Sequence, residues 1–377
     1  MLVLLLGTLS ACSGGTTSAP STTSLPAPRP GPCPSPFVVQ TDQEPNADLG
    51  FLYALFDGAV SIDPQRRAVY GAIASPKSEL DGTMLEIRHG GAVTDFDLTT
   101  TIMHADASVT AGLVSTDEAI LTSARHGTMA VFTAFHTSPT IVFWDPDAYP
   151  GRTSIDQFKN WDISLVHASG APFMEHLVST GVLHAKQSVP TSDGTPVSYM
   201  ASGGRMLHQG SATLDPHAYR HVYRDWMKEI EFQYVHDMGW DPYAWSFAVR
   251  SDDVEPLAAC LALLVPELQR VSQGFLGEPG PAIDRIVETA RRFGGDWLYD
   301  ADQARAAVAR IIDDELWTFP MGTTHGGFDA DRIDRLVAKA RASHSTPGDI
   351  APGLSSIDIA TDRFLDPSIL SVRSRSD

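Results

Sequence analysis

The chain has 377 residues and a formal net charge of -19, and 43% of its residues are hydrophobic. This length is enough for two lobes of about 100–200 residues with their own cores, which excludes a small single module. The acidic balance disfavours nucleic acid as a partner, because phosphates repel an acidic surface and no counterions are released on contact.

The first segment, Met1 to Ala11, is an apolar run of the length found in signal peptides and is too short to span a bilayer. It ends in Leu9-Ser10-Ala11-Cys12, which resembles the lipobox of bacterial lipoproteins, whose cysteine becomes the lipidated N-terminus. No Lys or Arg precedes the apolar run, which is compatible with a translation start further upstream. The alternative is a buried strand followed by an unmodified cysteine. We favour a lipoprotein signal peptide over residues 1–11, with Cys12 as the site of lipidation.

Residues 12–35 are built mainly from Ser, Thr, Pro, Gly and Ala and carry no hydrophobic periodicity. Such a segment buries too little apolar area to order itself, so we expect a disordered tether. About 20 flexible residues span on the order of 25 Å, which would hold a folded domain clear of a membrane surface.

Two cysteines remain if Cys12 carries lipid, namely Cys33 and Cys260. In an oxidising compartment they could form a disulfide, but the sequence does not reveal whether they meet, and we expect two independent thiols. No CxxC pair occurs, which disfavours a zinc finger or a thioredoxin-like site.

From residue 37 onwards, strand-like and helix-like patterns alternate, which is typical of an α/β fold. The predicted strands lie at 37–40, 84–87, 111–114, 129–135, 140–144, 161–167, 211–214 and 245–250. The predicted helices lie at 49–60, 95–106, 115–126, 172–179, 197–209, 218–228, 254–273, 281–293, 301–317 and 329–342. No transmembrane span and no solenoid repeat is evident.

This order of elements predicts two lobes, each a mixed or parallel sheet flanked by helices. We expect residues 36–137 to build the first part of lobe 1, residues 138–244 to form lobe 2, and residues 245–345 to complete lobe 1. Residues 346–377 are then a C-terminal extension.

Several segments together resemble the NMT1/THI5-like family, the nitrate, sulfonate and taurine type of ABC transporter substrate-binding proteins. The segments that carry the resemblance are Gln43-Glu44-Pro45-Asn46 with Leu52-Tyr53-Ala54 and Gly58, Gly112 to Gly127, Ser138-Pro139, Ser169-Gly170, and Gly326 to Asp329 with Arg332-Ile333. The similarity extends from Phe37 to about Leu370, and the order and spacing of the segments carry it. The resemblance implies the two-lobed type II fold of periplasmic binding proteins.

Two features of that family are missing from this chain. Its pyrimidine-binding members have an aromatic residue and a histidine where this chain has Gln43 and Leu49. The related pyrimidine synthases carry a cysteine-rich motif that has no counterpart here. The resemblance therefore does not extend to a pyrimidine ligand or to pyrimidine synthesis.

Ligands of open α/β sheets bind at the carboxyl ends of the strands, where helix N-termini offer free N–H groups. Loops at such positions, together with the crossing near residue 138, give the candidate ligand-binding residues Gln43, Glu44, Asn46, Ser115, Thr116, Ser138, Ser169, Gly170 and Asp215. The alternative for each is a purely structural role, because Ser, Thr, Asn and Asp before a helix are capping residues first. For Asp215, which precedes Pro216, we favour the turn-forming role.

The first of these loops also carries Asp42, Glu44 and Asp48, and it has no Arg or Lys of its own. A tight anion site usually has a charge-assisted donor, so the loop favours a neutral or amine-bearing ligand. Backbone N–H groups alone can bind anions, so a sulfonate or nitrate stays open.

We expect no metal, because the histidines show neither HExxH nor HxH spacing, and no cofactor. A serine hydrolase is disfavoured because no G-x-S-x-G elbow occurs. The resemblance implies a monomeric, non-enzymatic solute-binding protein outside the cytoplasm, anchored to the cell membrane through Cys12. Its partners would be a small solute and the permease and ATPase of an ABC importer. The alternatives are an exported enzyme acting on a small heterocycle and a ligand-sensing lipoprotein without a transporter.

Overall fold

A computed structural model describes residues 31–75, 78–191, 195–295, 297–346 and 348–371. The predicted signal peptide, Cys12 and the tether up to residue 30 lie outside the described residues. Gly31 to Ser35, which we expected to belong to a disordered tether, are described, and Cys33 is buried among them. Residues 31–35 are therefore part of the folded structure and not of a disordered tether, because Cys33 has a partner in the core.

The first sheet contains seven strands in the order β2-β3-β4-β1-β5-β12-β6. Numbered in chain order, they are β1 Phe37–Gln40, β2 Ser61–Asp63, β3 Ala68–Ala72, β4 Met84–Arg88, β5 Ala111–Val114, β6 Thr128–Phe132 and β12 Ser246–Arg250. Strand β1 pairs in parallel with β4 and β5, whereas β12 runs antiparallel between β5 and β6. All residues of β1 and β5 are buried, as expected for strands at the centre of a sheet that is covered on both faces.

The second sheet has five strands in the order β11-β7-β10-β8-β9. They are β7 Thr140–Trp144, β8 Leu165–Val166, β9 Ser188–Val189, β10 Leu207–Ser211 and β11 Glu231–Tyr234. All five lie in the sequence between β6 and β12, so the chain crosses between the sheets twice. The predicted two-lobed α/β fold with mixed sheets is confirmed.

Ten helices accompany these strands in the part of the chain that the structure describes. They are α1 Gly50–Tyr53, α2 Thr99–Ala105, α3 Thr116–Thr122, α4 Pro172–Ser179, α5 Val197–Ala201, α6 Asp215–His221, α7 Ala258–Gly277, α8 Gly280–Phe293, α9 Ala301–Asp313 and α10 Ala330–Ser343. The last four agree with the predicted helices to within a few residues at most of their ends. Asp329 caps α10 as expected, since its carboxylate accepts from the backbone N–H of Arg332 at 3.0 Å. No helix among these is long and apolar enough to cross a bilayer.

The prediction of a helix over residues 197–209 is wrong in its second half. Only α5 is helical there, and Leu207–Ser211 form strand β10. Strand β10 pairs with β7 on one side and β8 on the other, so the sheet supplies hydrogen bonds that outweigh the local preference. The short strands β2, β3, β9 and β11 were not predicted either.

Arg332 of α10 holds the two crossings together. Its Nη1 donates to the carbonyl oxygen of His136 in the first crossing at 2.7 Å. In the second crossing, Nη2 donates to the carboxylate of Asp241 at 2.7 Å and to the carbonyl of Pro242 at 3.1 Å. The guanidinium also lies 3.9 Å from the centre of the Tyr243 ring. Because α10 packs against α3 of the first lobe and α4 of the second, this helix forms the back of the junction between the lobes.

A disulfide joins Cys33 to Cys260 near the start of α7, with a distance of 4.7 Å between the Cα atoms. The expectation of two independent thiols is therefore wrong. The two cysteines are 227 residues apart in the sequence, and only the fold brings them together. The bond fastens the first ordered residues to the helix that follows the return to lobe 1.

Replacing both cysteines by alanine should lower the free energy of unfolding by about 2–5 kcal/mol, because the unfolded chain regains the freedom that the long loop closure removes. Urea unfolding of the oxidised protein and the double variant measures this difference. A reducing agent should lower the midpoint of the wild type and leave the double variant unchanged. Equal midpoints for the oxidised wild type and the variant would contradict the predicted contribution of the disulfide.

Candidate functional site

The carboxyl ends of β1, β4 and β5 meet at one edge of the first sheet, where the loop at residues 41–49 begins. His89, just after β4, fixes this loop. Its Nδ1 lies 3.0 Å from the carbonyl oxygen of Gln43, which can only accept, so Nδ1 carries the proton and Nε2 accepts from the Tyr53 hydroxyl at 2.9 Å. Burial lowers the pKa of His89 to about 3, so the ring is neutral near pH 7.

Gly90 allows the same loop to pass close to the end of β4. A Cβ atom at this position would lie 2.6 Å from the carbonyl oxygen of Thr41 and 2.8 Å from the Cα of Asp42. Any other residue would push the loop away from the sheet. The loop is thus held by a histidine on one side and by a close backbone approach on the other.

Asn46 and Gln43, both predicted to bind ligand, are bonded to each other within this loop. Asn46 is 1% exposed, and its Nδ2 donates to Oε1 of Gln43 at 2.7 Å and to the carbonyl of Glu44 at 2.9 Å. Its Oδ1 accepts from the backbone N–H of Asp48 at 2.8 Å and so caps the short 3-10 helix Ala47–Leu49. In this structure Asn46 therefore shapes the loop, while Nε2 of Gln43 is buried and has no hydrogen-bond partner among the described residues.

Glu44, a further predicted residue, forms an ion pair with Arg67. The guanidinium of Arg67 lies over the ring of Phe293 at 4.6 Å from its centre. Glu44 thus neutralises the positive charge of Arg67, which lies beside the loop.

Ser115 and Thr116 lie at the carboxyl end of β5, as predicted, and both bind the second crossing. The hydroxyl of Ser115 accepts from the backbone N–H of Trp245 at 3.1 Å, and that of Thr116 accepts from the N–H of Tyr243 at 2.9 Å. Trp245 has a φ of 44°, a value that is uncommon for a residue with a side chain. The two hydroxyls thus position the segment that enters β12.

The remaining predicted residues lie in or beside the second lobe. Ser138 is 2% exposed, and its hydroxyl lies 3.1 Å from that of Thr140 at the start of β7. Asp215 accepts from the backbone N–H of Ser211 at 2.6 Å, and burial raises its pKa to about 6. Ser169 and Gly170 are exposed after β8. The structure does not gather all nine predicted residues around one point, and their contact with a ligand stays a prediction.

Three carboxyl groups at the same edge were not among the predicted site residues, namely those of Asp42, Asp48 and Glu118. Burial raises the pKa of Asp42 to about 6 and that of Asp48 to about 7. Burial, together with the charge of Asp42, raises the pKa of Glu118 to about 8. Oδ1 of Asp42 and Oδ1 of Asp48 are buried and accept no hydrogen bond from a described residue. The sequence signal was the acidic character of the loop and of the first turn of α3.

The two lobes touch at several polar contacts around this edge. Oδ2 of Asp48 accepts from the hydroxyl of Thr213 in the second lobe at 2.9 Å, and both residues are almost fully buried. Further out, the hydroxyl of Tyr234 donates to Asp314 at the end of α9. Loops from the carboxyl ends of the first sheet therefore meet the second lobe directly.

A cavity of about 450 Å³ lies between the lobes on the side of the first crossing. It is lined by His136 of that crossing, by Tyr234 and His236 of the second lobe, and by Asp314 and Phe319 of the first. The volume is in the range of small-molecule sites. Asp314 in its wall already accepts from Tyr234.

No group of three or more His, Cys, Asp or Glu side chains within the described ranges is arranged to hold a metal ion. The chemistry on offer at the interlobe edge is hydrogen bonding and charge, from carboxylates, an amide and hydroxyls.

Replacing Asn46 by alanine should lower the free energy of unfolding by about 1 kcal/mol, because the cap of the following turn is lost. Denaturant unfolding measures this loss. The matched control is Asn160→Ala, since Asn160 is exposed and should change the stability by less than about 0.5 kcal/mol. Equal stability of the two variants would remove the capping role.

Replacing Asp48 by asparagine should change how stability depends on pH. Because the folded state holds the Asp48 proton up to about pH 7 and the unfolded state releases it near pH 4, this group lowers the stability as the pH rises from 4 to 7. Melting temperatures between pH 5 and pH 8 should therefore fall less for Asp48→Asn than for the wild type. In the control Asp106→Asn, the dependence of melting temperature on pH between 5 and 8 should equal that of the wild type. Hydrogen bonds with Ser108 lower the pKa of Asp106, so this group is ionised in both the folded and the unfolded state over that range. Identical slopes for Asp48→Asn and the wild type would contradict the assignment.

No protein-family model matches the sequence, and no curated protein matches it either. Solved structures do match. The nitrate-binding protein NrtA from Synechocystis PCC 6803 aligns with a TM-score of 0.52 at 8% identity, over 87% of this chain and 87% of its own. The alkanesulfonate-binding protein SsuA from Xanthomonas axonopodis pv. citri, bound to MOPS, aligns with a TM-score of 0.50 at 11% identity, over 87% of this chain and 100% of its own.

A third match is a Candida albicans gene product described as having the generic periplasmic binding protein fold, with a TM-score of 0.50 at 12% identity, over 89% of this chain and 98% of its own. Identities this low establish the fold alone. At that level they confirm the resemblance to sulfonate- and nitrate-type binding proteins that the sequence predicted. The chain has the two-lobed fold of the periplasmic binding proteins.

Proposed function

We propose that this protein is an extracytoplasmic solute-binding protein that delivers a small organic molecule or anion to an ABC importer by closing its lobes around the solute. The observation that carries the proposal is the buried contact between Asp48 of the first lobe and Thr213 of the second. It brings the carboxyl-end loops of one sheet against the other lobe, which is where open α/β sheets bind ligands. The neighbours whose names mention sulfonate and nitrate support this class of function.

The chain has the parts that such a closure needs. In the part of the chain that the structure describes, two segments connect the two sheets, and Arg332 binds both of them. A rotation of one lobe against the other would be absorbed by these crossings, as in hinge closure around a ligand. Opening would separate Asp48 from Thr213 and give a solute access to the carboxylates beneath.

The disulfide supports a location outside the cytoplasm. Disulfides persist in oxidising compartments and are rare in the cytosol, and Cys33 and Cys260 are bonded in the folded core. Together with the predicted signal peptide, this favours export. In the proposal Cys12 carries the lipid that anchors the chain to the cell membrane, and residues 13–30 act as the tether.

A binding role is favoured over an enzymatic one by how the interlobe hydroxyls are used. Ser115 and Thr116 accept from backbone N–H groups of the second crossing, and neither is paired with a histidine within the part of the chain described. We therefore propose a non-enzymatic, monomeric protein that works with a permease and an ATPase. An exported enzyme on the same scaffold, or a sensor without a transporter, is the alternative.

The test is a thermal-shift screen of the full chain with thiamine precursors, flavins, taurine, other alkanesulfonates, nitrate and polyamines. A solute that binds only the folded state at 100 times its Kd stabilises it by about 2.7 kcal/mol, so the melting temperature should rise with concentration. Small-angle scattering should then show a decrease in radius of gyration on binding. Mass spectrometry should recover the solute unchanged.

Three outcomes would contradict the proposal in different ways. Turnover of the bound solute would favour the exported enzyme. Binding without a change in dimensions would argue against hinge closure. If the protein binds a solute but cells that lack the protein take up that solute at the normal rate, the sensor would be favoured.

A further inference from the structure

The contact between Asp48 and Thr213 leaves half of a buried carboxylate unused. Asp48 is 1% exposed, and its Oδ2 accepts from the Thr213 hydroxyl at 2.9 Å. Its Oδ1 is bonded to the same carbon and therefore lies at the same boundary between the lobes, where it accepts no hydrogen bond from a described residue. Above about pH 7, where Asp48 is ionised, a buried carboxylate oxygen without a donor is costly, so this atom marks a place for one.

A second oxygen with the same property lies in the same loop. Oδ1 of Asp42 is buried and accepts no hydrogen bond from the residues that the structure describes. Nearby, Glu118 accepts from the backbone N–H of Thr100 at 2.8 Å, and its carboxyl group senses the charge of Asp42. Two separate buried oxygens thus need donors at an edge that is already rich in carboxyl groups.

Among the described residues, no cationic side chain forms an ion pair with these carboxyl groups. Within the described ranges, none of the ion pairs involves Asp42, Asp48 or Glu118. Arg67, the cation beside the loop, is paired with Glu44. The ring of His89 is neutral, and both of its nitrogens are already hydrogen-bonded.

We infer that the solute of the proposed binding protein carries a protonated amine or guanidinium group, which donates to Oδ1 of Asp48 and is attracted by the carboxyl groups of Asp42 and Glu118. The inference rests on the proposed function, because it names the class of solute for that same interlobe site. An amine or guanidinium cation supplies N–H donors and positive charge, and these carboxyl groups have no such partner among the described residues.

The same geometry disfavours an anionic solute. A sulfonate or nitrate at this edge would meet the carboxyl groups of Asp42 and Glu118. The cation beside the loop, Arg67, already pairs with Glu44, so that only its Nε is left without a partner among the described residues. A helix N-terminus does not replace the missing cation, because α3 is only seven residues long and Glu118 lies in its first turn. Similarity in fold to sulfonate- and nitrate-binding proteins therefore does not carry their charge preference over to this chain.

The test is isothermal titration calorimetry at pH 8 of the full chain with two matched sets of probes. The cationic set is putrescine, agmatine and spermidine, and the anionic set is methanesulfonate, ethanesulfonate and nitrate, none of which carries an amine. We expect at least one cation to bind and the anions not to bind. Asp48→Asn should weaken binding of that cation by at least about 30-fold, because it removes one partner of a buried charge pair. Thr213→Val, which keeps the charge, should weaken it by only a few-fold.

Asp362→Asn is the matched control. Asp362 is exposed, and its carboxylate accepts from the backbone N–H of Phe328. The substitution removes one negative charge from the surface, and among the described residues Asp362 has no hydrogen bond to the loop at residues 41–49. This variant should bind the cation with the affinity of the wild type. Melting curves of all variants show whether they are folded, and Thr213→Val keeps the test decisive if Asp48→Asn does not fold.

The outcomes separate this inference from the proposed function. Binding of methanesulfonate, ethanesulfonate or nitrate in place of the cations would overturn the cationic solute and leave a solute-binding protein. Binding of a cation with equal affinity to the wild type and Asp48→Asn would overturn the assigned contact. If no cation of the set binds, the inference is wrong whatever the wider screen finds.

Discussion

The two-lobed arrangement depends on the hydrogen bonds that the guanidinium of Arg332 donates to both crossings. A chain that leaves one sheet, builds a second and returns must pass between them twice, and both passages need their backbone carbonyls satisfied. Arg332 satisfies carbonyls in both, at His136 and at Pro242, from a position 8% exposed to solvent. Its planar fork suits this bridging role better than a lysine would, since several donors are held in fixed directions. A rotation of one lobe against the other would have to preserve or break these hydrogen bonds.

The return strand β12 transmits that constraint to the interlobe edge. It begins beside Trp245, whose backbone is held by the hydroxyl of Ser115, and it runs between β5 and β6. The carboxyl end of β5 is therefore occupied by contacts that fix the crossing, and the free polar atoms of this edge belong to the neighbouring loop instead. Burying Asp48 there without a cation raises its pKa and lowers the stability above pH 4. A fold tolerates such a cost where the group is needed for something other than folding.

The sequence predicted the fold class and the long helices α7 to α10, because their hydrophobic periodicity is strong and their ends carry capping signals such as Asp329. It did not predict β10, whose five residues have no strand pattern and acquire their conformation from β7 and β8 on either side. It also did not predict the pairing of Cys33 with Cys260, because a contact across 227 residues depends on the whole topology. Local patterns were sufficient where local energies decide the structure, and insufficient where tertiary pairing does.

The same difference between local and tertiary energies explains which parts of the candidate site the sequence could predict. The sequence placed its candidate loops at the carboxyl ends of strands, because these ends can be read from strand order. It selected Asn46, Ser115 and Thr116, whose polar groups hold the loop and the second crossing in this structure. The roles of Asp42 and Asp48 depend on which oxygens remain unpaired after the lobes meet, and no local pattern contains that information. The acidic composition of the loop was nevertheless the one signal that pointed to them. Fold and ligand are separate properties of such a protein: β-strand order places the site, whereas the charge of a few side chains at its edge decides what can bind.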